Sequence, residues 1–74
     1  MDIRHNREQA LNLIDNAEKE GSFTKSEIER LEKILDPVMK RNKSILNAVI
    51  DYANQGRFKD TREIVDIYFS PMLR

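Results

Sequence analysis

A chain of 74 residues without cysteine makes one small domain whose core neither disulfides nor thiolate-bound metal can reinforce. Its 13 Lys/Arg balance 13 Asp/Glu, which argues against general nucleic-acid binding, since that usually needs a basic excess. No apolar run approaches the roughly 18 residues of a membrane span, and the amino-terminal segment is polar with no signal-peptide pattern. A cytoplasmic protein is expected.

The charge balance conceals an asymmetry. Residues 1–37 hold six Lys/Arg and nine Asp/Glu, and residues 38–74 hold seven and four. Oppositely polarised halves favour docking on each other or on a second copy. A chain of this length buries only about 60% of its unfolded surface, and small unstapled helical scaffolds often gain stability by association.

In chain order, Asn6-Arg7-Glu8-Gln9 fits a capping box and opens a helix over about 6–20. An earlier start at Asp2 would add Ile3 to its apolar face. Ala10, Leu13, Ile14 and Ala17 recur at helical spacing, with Leu11 beside them. Gly21 supplies the left-handed conformation that commonly ends a helix. Thr24 and Glu27 form the clearest box in the sequence, and Phe23 with Ile28 takes the hydrophobic-staple positions. The second helix then runs over about 25–36 on the stripe Ile28, Leu31, Ile34, Leu35 and Val38.

Asp36-Pro37 interrupts it. Proline inside a helix loses a hydrogen bond and clashes with the preceding turn, yet the apolar stripe keeps phase through Ile45, Val49 and Tyr52. Either one kinked helix spans about 25–55, or Asp36 caps a fresh turn with Pro37 at its first position. The polar run Lys40–Ser44 places the break or kink near 36–43. Ile45, Leu46, Val49, Ile50 and Ala53 mark a third helix over about 43–55, ended by Gly56. Asp60-Thr61-Arg62-Glu63 reads as another capping box, opening a fourth over about 60–69 that Ser70-Pro71 should stop. The expected fold is all-α, with four short helices as two helix-loop-helix hairpins in one domain, 1–74.

The two hairpins echo one another. Leu13-Ile14-Asp15 and Val49-Ile50-Asp51 precede the glycines, Phe23 and Phe58 follow them, and Glu27-Ile28 matches Glu63-Ile64 with one residue of slippage. The period is near that of tetratricopeptide solenoids, which need about three copies for stability. The pattern also resembles a degenerate EF-hand pair, whose loop takes oxygen ligands at positions 1, 3, 5, 7, 9 and 12 and glycine at 6. With Gly21 at 6, that resemblance implies calcium on Asn16, Glu18, Glu20, Thr24 and Glu27. In the second loop Ala53, Gln55, Lys59 and Arg62 replace ligands. The same features arise without metal from a helix terminator, a staple and a capping box, and that plainer reading, with no metal and no cofactor, is preferred.

The remaining candidates are few. His5 is the only histidine and has no nucleophile pattern around it. Glu27, Glu29 and Glu32 read as an exposed face, and no catalytic constellation, phosphate-cradling loop or zinc spacing is present. A non-enzymatic chain is expected. Lys40, Arg41 and Lys43, with Arg57, Lys59 and Arg62, would make a basic patch if gathered, although no interleaved aromatics favour stacking on bases. From Ile64 to Leu73 seven of ten residues are large and apolar, and a helix apolar most of the way round must be covered on more than one side. Tyr68, Phe69, Met72 and Leu73 are therefore the expected partner-binding residues, unless they close the core instead. The expected function is a protein-interaction module, a regulator, adaptor or inhibitor, whose partner is another protein or a second copy of the chain. Calcium response and nucleic-acid binding are the alternatives.

Overall fold

The computed structural model describes residues 3–73, with the side chain of residue 73 excepted. Four helices follow one another: α1 (Ile3–Glu20), α2 (Lys25–Leu35), α3 (Lys43–Asn54) and α4 (Phe58–Phe69), with a short 3-10 turn at Ser70–Leu73. There is no strand among the described residues. Consecutive helices pack on one another and α4 returns onto α1, while the backbones of the diagonal pairs stay apart among the described residues. Short connections make neighbours antiparallel, so two hairpins close into a four-membered ring. The α1–α2 outer face lies across the bundle from the α3–α4 outer face.

Each helix contributes a stripe at helical spacing. Ala10, Leu13, Ile14 and Ala17 of α1, Leu31 and Leu35 of α2, Leu46, Val49 and Ala53 of α3, and Val65 and Phe69 of α4 are buried. Burying one such large side chain contributes about 1.5–3 kcal/mol relative to leaving it in water. Two buried residues lie outside the expected stripes. Met39 reaches the core from the α2–α3 connection, and Thr61 is fully buried on α4. The Thr61 hydroxyl donates to the Arg57 carbonyl at 2.7 Å, which satisfies its hydrogen bonding without leaving its own helix.

The helix ends correct three expectations. Ile3 is already helical, so Asn6 lies within the first turns of α1 and caps nothing. Helix α4 starts at Phe58, ahead of the box expected at Asp60. Asp60 instead accepts from the Arg57 guanidinium at 2.7 Å, and Thr61 bonds backward. Asp36 does not open a fresh turn, because it is the C-cap of α2, with its amide donating to the Glu32 carbonyl at 2.8 Å. The chain breaks there, and residues 36–42 form a non-helical turn. One long helix across Pro37 is excluded.

At Thr24 the expectation holds in both directions. The Glu27 amide donates to Thr24 Oγ1 (3.1 Å) and the Thr24 amide donates to Glu27 Oε1 (2.8 Å). Both glycines adopt positive φ, 92° at Gly21 and 72° at Gly56, but they end their helices differently. The Gly21 amide is shared between the Ala17 carbonyl (2.9 Å) and the Glu18 carbonyl (3.2 Å), the first being the bond of the simpler left-handed cap. At Gly56 the bonds run from Gly56 to Ala53 and from Arg57 to Tyr52, the two bonds of a Schellman motif.

Candidate functional site

The carboxy-terminal apolar run is divided by the α4 helix into three environments. Val65 and Phe69, four residues apart, share the stripe that Thr61 begins, and all three are fully buried. Phe69 therefore belongs to the core and is not a surface residue. Tyr68 is half-buried and clamps the connection between α2 and α3. Its hydroxyl donates to the Val38 carbonyl (3.2 Å) and accepts from Asn42 Nδ2 (3.1 Å). Met72 is exposed at 41%, and the Leu73 side chain lies outside the described residues.

The residue that sequence reasoning passed over is Ile67. It is 70% exposed, the most open large hydrophobic side chain among the described residues. Ile64, half-buried and one turn earlier, shares its flank of α4. The signal was present in the spacing: the step from Thr61 through Val65 to Phe69 fixes the inward face, and Ile67 falls off it. Counting apolar residues hid this, because the buried stripe begins on a threonine. Next to Ile67 on the helix surface is Glu63, exposed and without an ion-pair partner among the described residues.

The α1-facing flank of α4 is a charge zipper. Arg62 donates to Asp15 Oδ1 at 2.9 Å and to Glu18 Oε1 at 2.6 Å, and Arg7 donates to Asp66 Oδ1 at 2.6 Å. The Glu18 hydrogen bond, followed by that of Asp15, holds the Arg62 pKa above its ordinary value against the opposing effect of partial burial. The folded state thus prefers charged Arg62, a preference present at every pH at which arginine is protonated and lost only in extreme alkali. The expected attraction between halves is realised at Arg62 and in the longer contact between Lys43 and Asp36 (3.4 Å). Arg7–Asp66 runs in the opposite sense.

These contacts also dispose the residues of the calcium loop that the EF-hand resemblance would imply. Asn16, Glu18 and Glu20 all lie on α1, which runs to Glu20. Two residues apart on a helix, successive side chains turn to nearly opposite sides. Glu18 is held by Arg62, while Thr24 and Glu27 bond each other. Among the described residues no three His, Cys, Asp or Glu side chains gather in a way that could hold a metal ion.

The basic candidates are likewise dispersed. Lys40, Arg41 and Lys43 stand at the amino-terminal end of α3, about 18 Å of helix away from Arg57. Arg57 lies over the Tyr52 ring, 4.5 Å from its centroid, and pairs with Asp60, while Arg62 is taken by α1. His5 is exposed. Glu29 and Glu32 are exposed as expected, but Glu27 is half-buried and holds the α2 cap. No described helix is long and apolar enough to cross a membrane. No family model, curated protein or solved structure is significantly similar to this chain.

Proposed function

We propose that this chain is a non-enzymatic protein-interaction module, a regulator, adaptor or inhibitor, that docks a partner on the outer face of α4. The observation that carries this reading is the 70% exposure of Ile67 on a helix whose other large apolar side chains are buried or half-buried. Exposed Met72 lies on the turn that follows, and aromatic and Met side chains are favoured at the centres of protein interfaces. Unpaired Glu63 beside Ile67 favours a partner that brings an apolar side chain with a cation next to it. Of the expected partner-binding residues this surface keeps Met72, and Ile67 takes the place of Phe69 and Tyr68.

Affinity capture from the native cell with the wild-type chain, Ile67→Glu and Lys59→Glu, read by mass spectrometry, tests the reading. Ile67→Glu should lose the specific interactor while its thermal unfolding stays within about 0.5 kcal/mol of wild type, as surface substitutions usually do. Lys59→Glu should retain it. An interactor captured equally by all three would overturn the assignment. Sedimentation of the isolated chain at rising concentration shows whether the occupant is a second copy.

A further inference from the structure

Across the bundle from that face, α1 and α2 enclose an open cleft of about 450 Å³. Gln9, Asn12 and Asn16 line its α1 wall, three amides at helical spacing. Arg30 and Lys33 line the α2 wall, and Leu13 and Ile34 supply the apolar surface between. Glu27 also borders it, but its Oε1 already accepts from the Thr24 amide.

The charges of the two helices are sorted around this cleft. Arg30 and Lys33 are exposed and, like Lys19, Lys25, Lys40, Arg41 and Lys59, make no ion pair among the described residues, whereas Arg7, Lys43, Arg57 and Arg62 are paired with carboxylates. Asp15 and Glu18 of α1 face α4, where Arg62 holds them. Glu29 and Glu32 of α2 do not line the cleft. The cleft lining thus sets two cations against the single carboxylate of Glu27, opposite a row of neutral amides.

We propose that the α1–α2 cleft binds an acidic peptide segment of a partner protein. Side-chain amides both donate and accept, so Gln9, Asn12 and Asn16 match the alternating N–H and C=O groups of an extended backbone. Arg30 and Lys33 meet its carboxylates, with the arginine able to do so bidentately. Leu13 and Ile34 seat an apolar side chain between them. Nucleic acid fits less well: no aromatic lines the cleft for stacking, and two cations neutralise few phosphates. The site lies on a different face from Ile67, so either assignment can fail without the other.

The test is a nitrogen-15 NMR titration of the whole chain with a short synthetic peptide of glutamate and leucine residues. Peptide addition should shift the side-chain amide signals of Gln9, Asn12 and Asn16, and the shift should weaken as salt is raised. Arg30→Gln with Lys33→Gln should lower affinity about tenfold or more, and the two exposed positions leave the fold intact, as circular dichroism would verify. Lys59→Glu and Ile67→Glu should leave peptide affinity unchanged. Absence of the amide shifts at millimolar peptide, or equal affinity in the double variant, would overturn the proposal. So would the same shifts produced by inorganic phosphate at lower concentration than peptide, or by protein concentration alone, which would reassign the cleft to a phosphate ligand or to a second copy.

Discussion

Gly21 and Gly56 hold the backbone at positive φ, and a Cβ added to either would meet nothing within 4 Å. An alanine there has room but not conformation. Its cost comes from the left-handed backbone alone, about 1–2 kcal/mol. Gly21→Ala and Gly56→Ala should each destabilise by that amount in urea unfolding, and asparagine, which tolerates this region better, should cost less. An alanine variant as stable as wild type would mean that the turn relaxes to another conformation. Both glycines were legible in the sequence, because each stands where an apolar stripe stops and an aromatic residue follows. Thr61 was not. A threonine inside an apolar run reads as a helix start, and only the backward bond to Arg57 reveals a side chain that the core can accept.

Among the elements, the connection between α2 and α3 was the hardest to read, because its order depends on a residue distant in sequence. Met39 is fully buried although charged or polar neighbours follow it, and Pro37 left a kinked helix as good a match to the periodicity as a break. The break is held by Tyr68, whose hydroxyl bonds Val38 and Asn42. Tyr68→Phe removes both bonds while keeping the ring. It should cost about 1 kcal/mol and raise hydrogen exchange in residues 38–42 more than in α1. Exchange unchanged in that segment would show that Met39 alone anchors it. The start of α2, by contrast, was readable from four residues, because a reciprocal box is local and needs no tertiary partner. The starts of α1 and α4 imitated that pattern, but their capping residues were already inside helices or bound elsewhere.

At the scale of the whole molecule, the echo between the two halves acquires a physical meaning that neither copy shows alone. Phe23 and Phe58, each two residues after a helix-ending glycine, stack on one another with ring centroids 5.4 Å apart and planes 25° from parallel. The repeat is therefore a contact: the two hairpin turns meet at one end of the bundle, and the shared phenylalanine is what they share there. The local sequence could not distinguish this from a staple onto Ile28, since both uses require an aromatic residue beside a turn. Arg62 joins the hairpins along their length through Asp15 and Glu18, but exposed ion pairs contribute little to stability, so the stack should dominate coupling between the turns. A double-mutant cycle on Phe23→Leu and Phe58→Leu isolates it, because leucine keeps apolar burial and removes only the paired rings. The coupling energy should be about 0.5–1.5 kcal/mol, compared with near-additivity for Phe23→Leu combined with Ile67→Ala on the α4 outer face. Additive losses at the two phenylalanines would mean that the turns are held by the core beneath them, and the echo would then reflect only the similar way in which each helix ends.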